Sequence, residues 1–334
     1  MMKVTDSSKS TKSGPNLTWS GRRHIIDTSD LTLDEVEYLF SIARRYRDGG
    51  PAALPLPQEF HGQGVANVFY ENSTRTRSSF EFAGKVLRLN VVNIDSKVSS
   101  VNKGESIEDT GRNLAAMGFK IIIQRHSAAG ACNLLVQAVG DKACIINAGE
   151  GASSHPSQAL LDAMTMLECR DNLRGAKIAI IGDITHSRVA RSNLWLLQLL
   201  GAEVHFAGPP TLMPSYLREL GAHVHLRPEE AIKAADFVMA LRLQLERQQS
   251  GLIPSIDEYQ RVFRIDHERL ALGKPGIKVL HPQPMNRDIE ITYSLADDQK
   301  FSLMDKQVSN GFALRMAILY TLLTQTKLTQ TNKL

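Results

Sequence analysis

The sequence predicts an α/β fold: two doubly wound parallel-sheet domains with a cleft between them, and a C-terminal helix that returns to the first domain. Three observations carry this. Short β-branched segments alternate with helical stripes along the chain. A second series of such segments begins afresh after Asn172-Leu173-Arg174-Gly175. The 334 residues suit two domains of ordinary size. The expected divisions are an extension over 1–18, a first domain over 19–156 completed by a helix over 306–326, and a second domain over 157–305.

Composition narrows the function classes. The chain is 43% hydrophobic and 22% charged, as in ordinary globular domains. Its 39 Lys+Arg against 35 Asp+Glu are dispersed, which suits anionic metabolites. Nucleic-acid binding draws little support, since aromatics are only 6% and no recognition motif is interleaved with the basic residues. Cys132, Cys144 and Cys169 are odd in number and lack CxxC spacing, so neither a disulfide framework nor a zinc site is expected. A reducing, cytoplasmic compartment is the matching expectation. No apolar run is long enough to span a bilayer, and the start lacks a secretory hydrophobic region, so no membrane association is expected.

Taken in order, Met1 to Asn16 is rich in Ser, Lys and Thr and reads as a flexible extension. Leu33, Val36, Leu39, Phe40 and Ala43 stripe a helix begun near Asp30 or Thr32, followed by a loop over Pro51 to Pro57. Val65 to Tyr70 is strand-like, and Ser79 to Leu87 carries Phe80, Ala83, Val86 and Leu87 at helical spacing. Between them lies Ser73-Thr74-Arg75-Thr76-Arg77. Hydroxyls and guanidinium groups at a helix start make a seat for phosphate or carboxylate. The same pattern also serves as a plain N-cap beside solvated arginines, and the stretch alone leaves both readings open.

A strand over Val91 to Asp95 leads into the polar loop Ser96 to Gly104, then a helix with Ile107, Leu114 and Met117 on one face. The strand Lys120 to Gln124 ends in Arg125-His126, where open α/β sheets bind ligands. Ala143 to Asn147 is the next strand. It runs through Gly149 and Gly151 to His155-Pro156-Ser157-Gln158 and a helix bearing Leu160, Leu161, Met164 and Leu167. In the second series, strand Lys177 to Ile181 passes through Asp183 to Arg188 into helix Val189 to Leu200 and strand Glu203 to Phe206. The Gly-x-Gly-x-x-Gly fingerprint is missing from this unit, which removes the main support for a nicotinamide or flavin cofactor. Further strands are expected at His223 to Leu226, Phe237 to Leu241 and Lys278 to Leu280. The last ends in His281-Pro282-Gln283-Pro284, whose prolines impose an extended, rigid backbone. Phe312, Met316, Leu319 and Leu323 stripe the closing helix.

With the Ser-Thr-Arg-Thr-Arg turn, Arg125-His126, His155-Pro156-Ser157-Gln158 and the His281 to Pro284 segment in this order, the chain resembles the carbamoyltransferase family over most of its length. Arg242-Leu243-Gln244 is similar to the Arg-x-Gln of members that use aspartate. The Ser-Met-Gly and His-Cys-Leu-Pro motifs of ornithine-using members are missing. The resemblance implies attack of the aspartate amine on carbamoyl phosphate, with expulsion of phosphate and no metal or cofactor. An ornithine-type enzyme, or an inactive homologue kept as a scaffold or sensor, is the competing reading.

The resemblance implies a role for each motif residue. Ser73, Thr74, Arg75 and Thr76 match phosphate-binding positions. Arg125 matches the arginine bridging phosphate and carbonyl oxygen, and His155 and Thr76 match donors to that oxygen. Gln158 matches the residue that reads the carbamoyl NH2, together with the Pro282 and Gln283 carbonyls. Arg188, Arg242 and Gln244 match aspartate-binding positions, as do Gln283 and Pro284 in the loop. Glu71 and Arg247 match residues that orient these arginines on domain closure. Ser99 and Lys103 match residues inserted into a neighbouring subunit's site, which implies a homotrimer with shared active sites. A regulatory chain or a dihydroorotase-like chain is the further partner the family suggests for the N-terminal extension. Gln283 departs from the Leu or Gly common between the loop prolines, and Asn102 stands where Lys, Ser or Gly is frequent.

Overall fold

The computed structural model describes residues 17–95, 104–244 and 251–331. Its first sheet contains β1 (Gly64–Phe69), β2 (Asn90–Asp95), β3 (Ile121–His126) and β4 (Cys144–Glu150), all parallel, in the order β2-β1-β3-β4. The second contains β5 (Lys177–Ile181), β6 (Glu203–Ala207), β7 (His223–His225), β8 (Phe237–Ala240) and β9 (Lys278–Leu280), again parallel, in the order β7-β6-β5-β8-β9. Runs such as Ile121-Ile122-Ile123 are fully buried because helices cover both faces of each sheet.

The first-sheet helices are α1 (Leu33–Gly49), α2 (Thr74–Val86), α3 (Ile107–Ala116), α4 (Ala131–Val139) and α5 (Pro156–Met166). Around the second sheet lie α6 (Arg188–Leu199), α7 (Pro228–Ile232), α8 (Ile256–Phe263), α9 (His267–Leu270) and α10 (Tyr293–Ala296). The chain closes with α11 (Met304–Thr331). Among these described residues no helix is long and apolar enough to cross a membrane.

Local chemistry sets the helix starts. Thr32 caps α1 in a capping box: Glu35 N–H donates to Thr32 Oγ1 (3.3 Å), and Thr32 N–H donates to Glu35 Oε2 (2.9 Å). Pro156, lacking an N–H, sits at the first position of α5, where that donor would have no helical partner. The apolar stripe of α11 then explains the return of the chain to the first domain. Leu314, Ile318 and Leu322 are buried in one cluster with Val36, Leu39 and Phe40 of α1, and α11 also packs on α2 and α5. Each leucine so buried contributes about 1.5–3 kcal/mol relative to exposure. Helix α5 touches β4, α6 and α11, so it forms the joint between the two sheets.

Several expectations need adjusting. Met117, expected on the buried face of α3, caps the helix instead and is 74% exposed. Helix α2 begins at Thr74 rather than Ser79, which brings Arg75 and Thr76 into its first turn. Strand β3 continues through Arg125 and His126, because Arg125 pairs with Phe69 of β1 and His126 with Glu150 of β4. The extension over Met1 to Asn16 and the loop from Ser96 to Lys103 lie outside the described residues.

Candidate active site

Each sheet reverses its winding once, between β1 and β3 in the first and between β5 and β8 in the second. Connections leave such a point on opposite faces, so the carboxyl ends of the two strands open a crevice. Both crevices face one cavity of about 900 Å³. The first domain lines it with the segment after β1 and with Arg125 from β3; the second lines it with Ser187 and Arg188 after β5 and Arg242 and Gln244 after β8. His155 and Gln158 at the start of α5 and Pro282 to Pro284 complete the wall.

At the head of α2, Ser73 makes no side-chain capping bond, so the first-turn amides keep their donors for an anion. Arg75 reaches across the cleft: Nη1 donates to Gln283 Oε1 (2.9 Å) and Nη2 to the Pro282 carbonyl (3.2 Å). Burial lowers the Arg75 pKa, because desolvation penalises the charged guanidinium. The loop was expected to act through its backbone carbonyls; in addition, the Gln283 side chain contacts Arg75 directly.

The loop is held from behind. His281 is buried; its Nδ1 accepts from the Gln283 N–H (2.8 Å) and its Nε2 lies 3.2 Å from Glu290 Oε1. An accepting Nδ1 leaves the proton on Nε2, which donates to the carboxylate. This brace holds Gln283 at φ 51°, an unusual left-handed conformation for a residue with a side chain.

Glu71 ties the domains together on the other wall. Its Oε2 lies 2.9 Å from Arg188 Nη2 and 3.4 Å from Arg125 Nε. Arg125 Nη1 also donates to the Ala148 carbonyl (3.2 Å), and Arg188 Nη1 to that of Gly151 (3.3 Å). Gly149, at φ 113°, leaves the space this requires: a Cβ there would stand 3.1 Å from Arg188 Cζ and 3.2 Å from Arg125 Nη1. Two arginines from different domains can therefore share one carboxylate.

His155 is buried, with its N–H donating to Ser192 Oγ of α6 (2.8 Å). Burial first, then the charges of Arg125, Arg188, Arg315 and Arg75, push its pKa well below the usual histidine value. The imidazole is neutral at physiological pH, so it presents one donor and one acceptor nitrogen. The site thus combines a helix start, four arginines and a neutral imidazole, which suits two anionic reactants and a developing oxyanion.

Every site residue anticipated within the described part of the chain faces this one cavity. Ser99, Lys103 and Arg247 lie outside the described residues. Sequence reasoning missed the support beneath Gln158. Gln158 Nε2 donates to Asp162 Oδ1 (2.8 Å), which also accepts from Gln307 Nε2 (2.7 Å); Asp162 Oδ2 accepts from Asn193 Nδ2 (2.9 Å). The spacing of Gln158 and Asp162, one turn apart on α5, was the available signal. Arg315 was missed too. It is buried in α11, donates to Ser79 Oγ (3.1 Å), and lines a recess of about 280 Å³ that adjoins the cleft at Arg75 and Gln158. An arginine within an apolar stripe had been the hint.

Two family models match the chain. The aspartate/ornithine carbamoyltransferase carbamoyl-P binding domain matches residues 23–168, and the Asp/Orn binding domain of the same family matches residues 174–322. The chain belongs to the aspartate/ornithine carbamoyltransferase family. Similar members include the aspartate carbamoyltransferase catalytic subunit of Ruminiclostridium cellulolyticum, 46% identical over 90% of this chain and 95% of that one. The catalytic subunit of the same name from Acetivibrio thermocellus is 47% identical over the same shares. Among solved structures, aspartate transcarbamoylase from Trypanosoma cruzi in complex with N-(phosphonacetyl)-L-aspartic acid has a TM-score of 0.79 at 29% identity, covering 90% of this chain and 95% of that one. Ornithine carbamoyltransferase from Pyrococcus furiosus has a TM-score of 0.78 at 25% identity, covering 89% and 96%.

Proposed function

We propose that this chain is an aspartate carbamoyltransferase, which moves the carbamoyl group of carbamoyl phosphate to the amine of L-aspartate and releases phosphate and N-carbamoyl-L-aspartate. The observation that carries the reading is the cleft's division of charge. Arg75, the head of α2 and Arg125 gather on the first-domain side, while Arg188 and Arg242 project from the second. Carbamoyl phosphate fits the first group, with its phosphate on Ser73, Thr74, Arg75 and Thr76 and its carbonyl oxygen toward Arg125, Thr76 and His155. Gln158 reads the carbamoyl NH2. A dicarboxylate fits the arginines and Gln244 on the second side, where an ornithine side-chain ammonium would be repelled.

The chemistry follows from this arrangement. Arginines at the phosphate neutralise the leaving group, and donors at the carbonyl oxygen stabilise the charge that develops as the amine attacks. Holding both substrates across one cleft replaces a bimolecular encounter with an oriented one. We further propose that Ser99 and Lys103 reach a neighbouring subunit's cleft in a homotrimer and that Arg247 joins Glu71 in the closed state. A cytoplasmic place in pyrimidine biosynthesis, and a regulatory or dihydroorotase-like partner, belong to the same proposal.

Steady-state formation of carbamoyl aspartate by wild type and Arg242→Ala tests the assignment. Loss of a charge-assisted pair of about 2–3 kcal/mol should raise the aspartate KM roughly 30- to 150-fold, with carbamoyl phosphate still bound. Equal use of ornithine, or an unchanged aspartate response, would overturn the substrate assignment.

A further inference from the structure

Near the amino ends of β6 and β7, away from the strand ends that form the cleft, imidazole and carboxylate groups converge on one face of the second sheet. Strand register produces this. His205 pairs with His223, while Glu203 precedes His205 by two residues and His225 follows His223 by two, so all four side chains share a face. The rings of His205 and His223 stack with centroids 4.3 Å apart. One ligand atom from each of Glu203, His205 and His223 lies within 4.8 Å of the others.

His205 is the unusual member. It is only 8% exposed, and its Nε2 is buried with no hydrogen-bond partner, aimed toward Glu203 Oε2 at 3.8 Å. The neighbouring groups account for that nitrogen's state. Glu230 Oε2 lies 3.6 Å from His225 Nδ1, which favours a proton there, and His225 Nε2 is then an acceptor. It lies 2.9 Å from His205 Nδ1, which donates in this tautomer. The remaining nitrogen of His205, Nε2, is left with a bare lone pair. A carboxylate and an imidazole behind a ligating histidine are the outer contacts that orient such a ligand and raise its basicity.

We propose that Glu203, His205 and His223 bind a divalent transition-metal ion, of which zinc is the representative, at a surface site separate from the catalytic cleft. Two imidazoles and a carboxylate suit zinc, and three protein ligands leave a fourth position for water. Ligands around a tetrahedral zinc lie roughly 3.3–3.5 Å apart, so the triad must close from within 4.8 Å, and the His223 ring, stacked at 12° to that of His205, must turn until its nitrogen faces the same point. Glu203 and His223 are exposed and can make that movement. Lys177, which pairs with Glu203 across β5, does not occupy the site: its ammonium donates to the carbonyls of Glu230 (3.3 Å) and Lys233 (2.8 Å). The ion would pin the edge strand β7 to β6, so its expected effect is structural. The proposed carbamoyl transfer in the cleft does not depend on it.

Isothermal titration of the chelator-stripped full chain with zinc chloride tests the site, with cobalt absorption as a second readout. Wild type is compared with the Glu203→Gln/His223→Asn double variant, whose changes are at exposed positions and whose fold is checked by circular dichroism. Wild type should bind one more zinc ion per chain than the double variant and show cobalt d–d bands that the variant lacks. Glu230→Gln should weaken zinc binding about 10-fold through the His225 contact. Equal zinc binding by wild type and the double variant, or no binding by wild type at micromolar zinc, would overturn the proposal.

Discussion

Glu71→Gln is the sharpest test of how the cleft is held. The carboxylate stands 2.9 Å from Arg188 Nη2 and 3.4 Å from Arg125 Nε, and its side chain is 21% exposed against 6% and 13% for the two arginines. At an effective dielectric constant of about 20, unit charges roughly 4 Å apart attract by about 4 kcal/mol. Desolvation offsets part of this, leaving about 1.5–3 kcal/mol for a hydrogen bond to a charged group. Glutamine preserves length, but it has one accepting oxygen, and its NH2 would oppose the second guanidinium. Arg188 would keep its bond to the Gly151 carbonyl, at 3.3 Å. Arg125 would keep its own bond to Ala148 and its place in β3. Aspartate kcat/KM should therefore fall roughly 10- to 150-fold, with carbamoyl phosphate affinity within about 3-fold of wild type. Steady-state assays with each substrate varied, beside calorimetric titration of carbamoyl phosphate, measure both. An unchanged aspartate kcat/KM would show that Arg188 needs no carboxylate behind it. An equal loss for both substrates would show that Glu71 chiefly positions Arg125.

Two further outcomes follow. Burial lifts the Asp162 pKa to about 7, against opposing hydrogen bonds from Asn193, Gln307 and Gln158. The folded state then holds a proton that the unfolded chain has lost, so this contribution to stability is complete below about pH 4 and declines as pH rises through about 7. Its size is on the order of 4 kcal/mol, and urea unfolding from pH 5 to 8 should show the decline in wild type but not in Asp162→Asn; parallel profiles would refute the shift. Mixing inactive Lys103→Ala and His155→Ala chains should restore activity through hybrid sites if subunits share them. No recovery after confirmed subunit exchange would count against sharing.

Alternation of β-branched strands with apolar-striped helices made the two parallel sheets legible, since the burial of a parallel strand on both faces demands an apolar run such as Ile121 to Ile123. Ser73 to Arg77, His155 to Gln158 and Arg242 to Gln244 were legible for a different reason: local chemistry left the helix start at Ser73 open between an N-cap and an anion site, and the resemblance to the family's motifs assigned all three. Helix α4 was not legible, although Cys132, Leu135 and Val139 stripe it, because Gly130 at its N-cap offers no side chain to mark the start.

Tertiary structure alone decided which distant groups meet. Asp162 owes its raised pKa to burial, and its three hydrogen-bond donors come from α5, α6 and α11. Glu71 can serve two arginines only because β1, β3 and the start of α6 converge beside Gly149. Likewise His205, His223 and Glu203 are brought together by the parallel register of β6 and β7. Periodicity and motifs record what neighbouring residues impose on one another along the chain. Proximity and desolvation depend on how the folded elements pack, and the sequence carries them only through the fold.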